Sequence, residues 1–311
     1  MRVRAVGLNH LDLWVRKGVP GHTFPLPIVP GCDVAGVIDA VGPGVVGVAA
    51  GDEVVVAPGI SCGRCPSCRA GEDALCRSYG ILGESQDGGC QEQLVVQDVG
   101  VFPKPPSLDW TEAAAVPLTF LTAWHMLSAR ARVQAGDKVL VHAAGSGVST
   151  AAIQIAKLLG ARVITTAGTD EKCAGAIALG ADEAVNYRSE DFVAAARRFS
   201  GNRGVDVVVD HVGADTFERS LRCLARGGRY VTCGATSGYE MKTDFRPVFF
   251  KSLSILGSTM GGAHELARVL GLVAAGRLRP VVNRVFSLAE VADAHRYLET
   301  RTAFGKIVLT V

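Results

Sequence analysis

Four cysteines, Cys62, Cys65, Cys68 and Cys76, fall within CGRCPSCRAGEDALC and leave gaps of two, two and seven residues. Two-residue gaps let neighbouring thiolates turn onto one ion, and four sulfurs close a tetrahedral zinc shell with no position left for substrate. Such a site holds a loop and performs no chemistry. Unrelated thiols are one competing reading, and an iron–sulfur cluster, which uses similar spacing, is another. A zinc module for nucleic acid is a third: Arg64, Arg69 and Arg77 suit it, but Glu72 and Asp73 interleave with them.

A second stretch with chemical meaning is KVLVHAAGSGVSTAAIQIAKLLGARVITTAG, residues 138–168. An apolar strand runs into a glycine turn, a small-residue helix and a second apolar strand, the opening half of a βαβ unit. Bare amides in such a turn, with the positive end of the helix behind them, attract a pyrophosphate. Ala144, Gly145, Ser146, Gly147 and Val148 make the turn, a degenerate G-x-G-x-x-G in which Ser149 replaces the last glycine.

An NAD-specific site places a carboxylate about 20 residues beyond the glycines to bind the ribose 2′-OH. Here the second strand ends in Ala167-Gly168-Thr169, with no acid. The missing carboxylate removes repulsion against a 2′-phosphate, and Thr169, Lys172, Tyr187 and Arg188 are the candidates to surround it. NADP(H) is therefore expected ahead of NAD(H). The competing readings are that Lys172 and Arg188 are solvated surface charges and that Asp170 reaches the ribose. Gly234-Ala235 and Gly257-Ser258 follow later strands, at the carboxyl ends where ligands sit in open α/β sheets, and are expected beside the nicotinamide unless they are simple turns.

The elements that must position these residues follow from length and periodicity. At 311 residues the chain is too long for one ordinary core, so two domains are expected. Apolar residues at 48% and charged residues at 20% give a globular balance with no disordered signature. A net charge of +2 without a basic run argues against nucleic acid as a partner. No apolar run reaches membrane-spanning length, and MRVRAVG lacks a signal peptide's apolar block, so a soluble cytosolic protein is expected. In a reducing compartment, four clustered thiols out of nine read as a metal site and not as disulfides.

Residues 1–117 are rich in Gly, Pro and Val, with short alternating runs, and read as a β-rich domain with long loops. One helix is expected over 9–17, with Leu11 and Val15 on a shared face and Gly18 as its stop. A helix over 118–128 joins the domains. From Asp137 strands alternate with helices: 138–142, 162–166, 184–187, 205–210, 228–233 and 253–258. Six strands in two sets of three predict an α/β fold with a doubly wound parallel sheet. The tail returns through a helix over 265–275 to a last strand at Lys306-Ile307-Val308-Leu309, expected to pair with the first domain.

With the quartet and the nucleotide unit in hand, the chain resembles the medium-chain dehydrogenase/reductase family. The resemblance rests on GLNHLDLWVRKG, PIVPGCDVAGVIDAVGPGV, GDEVV, the quartet, AAAVPLTFLTAW, AAGSGVSTAAIQIAK, LGAD and FGKIVL, and covers nearly the whole chain. It implies a GroES-like catalytic domain over 1–117 completed by 260–311, and a Rossmann domain over 118–259. It further implies a cleft between them for hydride transfer, and a homodimer or homotetramer. Family members normally begin with an additional β-hairpin before the strand matching 3–6. Met1 opens almost on that strand, so either the start is assigned late or the catalytic domain lacks an edge and exposes apolar surface.

By the same resemblance, the three catalytic-zinc ligands of the alcohol dehydrogenases fall on Asn9, Cys32 and Leu118. Asparagine is a poor zinc ligand and leucine is none. The hydroxyl that relays the substrate proton falls on Leu11, which has none, and quinone oxidoreductase-like members carry Asn at position 9. Cys32 and Asp33 then face the cleft, Cys32 with a buried inert thiol as its competing reading. Asn9 and Thr119 are candidates to hydrogen-bond an acceptor oxygen. His10, His125, His142 and His211 read as structural.

Without a Lewis acid, the easier acceptors are those that delocalise negative charge. The expectation is an NADPH-dependent reductase of quinones or α,β-unsaturated carbonyls with one structural zinc. The alternatives are an alcohol dehydrogenase whose atypical metal uses Cys32 with Asp33 or His10, and a nucleotide-binding scaffold or sensor without turnover.

Overall fold

A computed structural model describes residues 1–311. Strand pairing and contacts divide the chain into one unit of residues 1–121 with 260–311 and a second of residues 122–259. The first unit carries β1 (Arg2–Leu8), β2 (Asp33–Val37), β3 (Glu53–Val56), the two-residue strands β4 (Gly59–Ile60) and β5 (Gly80–Ile81), and β6 (Val101–Pro103). The second carries β7 (Lys138–Val141), β8 (Arg162–Ala167), β9 (Glu183–Asn186), β10 (Val205–Asp210), β11 (Leu224–Thr232) and β12 (Ser254–Gly257). The tail returns β13 (Val282–Ser287) and β14 (Lys306–Thr310) to the first unit.

The sheet of the first unit has the order β13-β14-β1-β2-β3-β6, and β4 pairs with β5 beside it. The last strand does pair with the first: Val6 stands opposite Leu309 and Leu8 opposite Ile307 in an antiparallel ladder. β1 is interior, bordered by β14 and β2, and its backbone is extended by Val3 N–H donating to Glu92 O (2.9 Å) and Leu94 N–H to Met1 O (3.0 Å). Val3, Val6, Leu8, Val34, Ile307 and Leu309 share one apolar core with Cys32.

The helix His10–Lys17 starts where Asn9 N–H donates to Asp12 Oδ2 (2.7 Å) and stops at Gly18, whose φ of 80° lies in the region that favours glycine. It buries Leu13 and Val15, while Leu11 packs against the core from its flank. The expected connecting helix over 118–128 is Pro117–Trp124, widening into a π-helical turn over His125–Arg130.

The second unit is the doubly wound parallel sheet, in the order β12-β11-β10-β7-β8-β9. Val207, Val208 and Val209 are fully buried, as a strand covered by helices on both faces requires. Each contributes roughly 1.5–3 kcal/mol of burial. Five of the six expected strands sit within two residues of their expected ends. β11 begins four residues earlier, at Leu224, because Val205 of β10 pairs with it before the ladder resumes at Val207 opposite Arg229.

Candidate functional site

In the first unit, β2, β14 and the start of the helix that follows β1 bring four polar side chains to one buried point. Lys306, on β14, is only 4% exposed, and its ammonium donates to Leu8 O (2.8 Å), Asn9 Oδ1 (2.7 Å) and Asp33 Oδ2 (2.7 Å). An ammonium has three hydrogens, and all three are used. Asn9 Nδ2 donates to Asp33 Oδ2 (2.9 Å) and Gly7 O (3.2 Å) and lies 3.3 Å from Cys32 Sγ. Asp33 Oδ1 accepts from Leu118 N–H at 2.6 Å. Asp12 closes the set from below, accepting from Asn9 N–H and from Gly31 N–H (2.9 Å).

The electrostatics follow from burial. Desolvation pushes the Asp12 carboxyl up to about 6, against the pull of its two backbone donors and Lys306. Desolvation also drives the Cys32 thiol well above its ordinary value, with Asp33 and Asp12 adding to the effect, so it stays protonated. Asn9, Cys32 and Leu118 do come together. The cation among them, however, is Lys306, and leucine offers only a backbone amide, which is a donor. This donor set does not fit a catalytic divalent ion.

Thr119 is buried, and its hydroxyl donates to Ala115 O (3.1 Å). Lys306 and Asp12 were not singled out from the sequence. The signal for Lys306 was a lysine opening an apolar strand, Ile307-Val308-Leu309, where a charge is expensive unless something answers it.

In the second unit, β7 runs through a tight turn into the helix Gly147–Leu158. The residue in the left-handed region is Ala143 (φ 55°), not a glycine. Ala144 N–H donates to Thr166 O (2.8 Å), tying the turn to β8, and Ser146 N–H donates to Ala143 O (2.8 Å). The helix has Ser146 at its N-cap without a side-chain cap bond and no acid in its first turn. Its leading amides and positive end are thus left to an anion. Ser149, in place of the last glycine, is fully buried and bonds back to His142 O (2.6 Å).

At the end of β8, Gly168 leaves room that Tyr187 and Arg188 border. A Cβ there would stand 2.7 Å from Tyr187 Oη and 3.6 Å from Arg188 Nε. Thr169 caps the following helix, Asp170–Ala178, accepting from Lys172 N–H (3.3 Å). Burial and then the charge of Arg188 lower the Lys172 pKa. Asp170 Oδ1 accepts from Asn186 Nδ2 (2.7 Å). Beyond β11, Gly234 O accepts from the Thr232 hydroxyl (2.8 Å), with Ala235 next in the same loop. After β12, Gly257 O accepts from Arg130 Nε (2.7 Å), and Ser258 Oγ is buried without a hydrogen-bond partner. An uncapped helix start and an orphaned hydroxyl at the carboxyl ends of one parallel sheet fit a dinucleotide.

The four cysteines of the quartet offer sulfurs within 4.8 Å of one another, with Cys76 buried and the others half-buried. Cys65 and Cys68 sulfurs are 3.5 Å apart. Backbone amides of Arg64 and Cys65 pull the Cys62 thiol down to about 6, and the Ser61 hydroxyl leads the lowering of Cys68. Against the pull of the Cys68 amide, hydrogen bonds shared among the thiols push the Cys65 thiol up to about 11, and it is the closeness of four sulfurs that suits zinc. The lobe is fastened to the returning tail, where Ala263 N–H donates to Asp73 Oδ2 (2.9 Å).

Residues 1–106 match the alcohol dehydrogenase GroES-like domain, and residues 179–309 match the zinc-binding dehydrogenase domain. The chain is 30% identical over 316 residues to the quinone oxidoreductase of Homo sapiens, spanning 99% of this chain and 88% of that protein. A crystal structure of an NAD-dependent alcohol dehydrogenase superposes with a TM-score of 0.96 at 55% identity, covering 100% of this chain and 90% of that one. The chain belongs to the medium-chain dehydrogenase/reductase family. As a member of that family it is an NAD(P)-dependent oxidoreductase acting on small molecules. It is also 35% identical to the spectinabilin polyketide synthase system protein NorB of Streptomyces orinoci, of whose length it spans 13%. No helix is long and apolar enough to cross a membrane.

Proposed function

We propose that this medium-chain reductase uses NADPH to reduce quinones or α,β-unsaturated carbonyls without a catalytic metal, and holds one structural zinc in the Cys62–Cys65–Cys68–Cys76 lobe. The observation that carries the reading is the Lys306 ammonium bonded to Asn9 and Asp33, a protein cation in the ligand set where the alcohol dehydrogenases of the family bind zinc. An acceptor that spreads negative charge over a ring or a conjugated system does not need a Lewis acid at its oxygen. The similarity to quinone oxidoreductase points the same way.

In this reading the nicotinamide supplies the hydride. The amides at Gly147 take the pyrophosphate, and Lys172, Arg188 and Tyr187 take the 2′-phosphate with Thr169 beside them. The loops of Gly234-Ala235 and Gly257-Ser258 border the nicotinamide, where the Ser258 hydroxyl gains a partner. Asn9 and Thr119 stand nearest the acceptor oxygen, Cys32 is a protonated wall and Asp33 fixes Asn9. For Asn9 to donate, its longer Nδ2 bond, the 3.2 Å one to Gly7 O, is the one that gives way. For Thr119, the hydroxyl hydrogen turns from Ala115 O. Turnover unchanged in N9A would remove Asn9 from the mechanism. The reading as a whole is tested by following NADPH oxidation against a panel of quinones and enones. Binding without oxidation of any of them favours a sensor or scaffold instead.

A second reading is NADH use, favoured by the 55%-identical NAD-dependent alcohol dehydrogenase. The ratio of kcat/KM for the two cofactors decides between them. An alcohol dehydrogenase with an atypical metal is separated by zinc content, two per chain instead of one.

We also propose a homodimer. β12 is an edge strand, and Phe245, Phe249, Phe250 and Ile255 around it are 61%, 60%, 65% and 42% exposed. An apolar patch beside an open strand edge is the kind of surface two copies cover by a two-fold axis. A monomeric mass in light scattering rules it out.

A further inference from the structure

Ala143 opens the nucleotide turn in the left-handed region (φ 55°), where a side chain costs strain that glycine would not. A residue in that region persists only when its surroundings over-determine it. Here one threonine does most of this. Thr166, on β8 and buried, accepts from Ala143 N–H at its hydroxyl oxygen (3.3 Å) and from Ala144 N–H at its carbonyl (2.8 Å). Two consecutive amides of the turn therefore hang on a single residue of the neighbouring strand. Ala143 O in turn accepts from Ser146 N–H (2.8 Å), so the bend at Ala143 sets where the helix Gly147–Leu158 begins.

The hydroxyl of Thr166 is itself placed by His142, the residue before the bend. Ring Nδ1 is 3.0 Å from Thr166 Oγ1, and Nε2 is 2.9 Å from Ser220 Oγ on the helix Phe217–Cys223. His142 and Ser220 are 1% and 0% exposed, so water is no substitute for either bond. Burial lowers the His142 pKa, and a neutral imidazole has one donor and one acceptor. Both nitrogens are thus spent, whichever of them carries the hydrogen. Phe192 stands edge-on to the ring, with centroids 5.0 Å apart. The backbone is pinned as well: His142 N–H donates to Val209 O (3.0 Å), and His142 O accepts from the Ser149 hydroxyl (2.6 Å). A side chain fixed on every side can hold a neighbour in a strained conformation.

We infer that His142 is a positioning residue for the dinucleotide. Acting through Thr166 Oγ1, it holds the bend at Ala143 and so aims the leading amides of the helix at the pyrophosphate. Its reach is to Thr166 and needs no contact with the ligand. The role rests on the nucleotide reading above and supplies what keeps those amides in place.

The test exploits the two ring nitrogens. H142N puts a polar atom near Nδ1 and keeps the Thr166 bond, whereas H142Q puts one near Nε2 and keeps only the Ser220 bond. T166V removes Oγ1 at nearly constant shape, and T166S returns it. Binding of NADPH and NADH is read by fluorescence, and that of ADP and adenosine by competition; ADP carries the pyrophosphate and adenosine lacks it. Loss of one neutral hydrogen bond corresponds to about 3- to 10-fold in affinity. H142Q and T166V are expected to lose that much for ADP and for the dinucleotide that wild type binds. H142N and T166S are expected to stay within about 2-fold, with adenosine unmoved in all four variants. Where one of the two disruptive variants fails to fold, the other decides. H142Q or T166V binding like wild type overturns the assignment, as does H142N losing as much as H142Q. Equal weakening of adenosine and ADP also overturns it, by making His142 merely structural. Wild type binding neither NADPH nor NADH overturns the nucleotide reading and this role together.

Discussion

Lys306 and Asp33 are 273 positions apart in sequence and meet at 2.7 Å, their side chains 4% and 0% exposed. The pair joins the last strand of the chain to the second across β1, and Asn9 bonds to both partners. Removing one partner leaves the other charge buried and unanswered, which costs about 3–5 kcal/mol. D33N and K306M are each expected to lose that much in urea unfolding, with the double variant recovering part of it. Single variants within about 1 kcal/mol of wild type would show that water reaches the site.

Zinc analysis of the purified protein should return about one metal per chain. Cys68→Ser is expected to abolish it, and a strong chelator to lower Tm by several degrees as the lobe that holds Ala263 through Asp73 loosens. A second zinc retained in a Cys68→Ser protein would revive a catalytic metal.

Charge at the end of β8 should set cofactor preference. Losing one charge-assisted contact to a 2′-phosphate costs about 1.5–3 kcal/mol, or roughly 10- to 100-fold. K172A and R188A are each expected to lower the NADPH-to-NADH ratio of kcat/KM by that factor, mainly through KM for NADPH. Unchanged ratios would return both residues to the solvated surface.

Acidification should destabilise the fold. His142, His211 and His295 all have pKa values lowered by burial, so the unfolded chain takes up their protons first as pH falls through about 6.5, and stability declines there. Asp12 has the opposite sign. Its folded value near 6 lies above its unfolded one, so it adds stability as pH falls below 6. Three groups outweigh one, and Tm is expected to drop between pH 7.5 and 5.5. A Tm that rises over that window contradicts the assignment of neutral histidines.

Local signals carried well. The two-residue gaps of the quartet bring four sulfurs together because the ligands lie on one short loop. The glycine turn after residues 138–141 and the three buried valines of β10 are likewise set by neighbours in sequence. The return of the last strand to the first domain was legible as well, but not which side chains that return brings together. Ser149 looked like a plain substitute for glycine, and His211 like an isolated structural residue, because the 3.0 Å contact between them spans 62 positions.

The sequence by itself determined the two sheets, the metal loop and the nucleotide turn, since periodicity and close spacing act over a few residues. Only the tertiary structure decided which charges answer one another. Lys306 opens an apolar strand and so needs an answer once folding strips its water away, but only the fold shows that Asn9, Asp33 and Leu8, all from the opposite end of the chain, supply it.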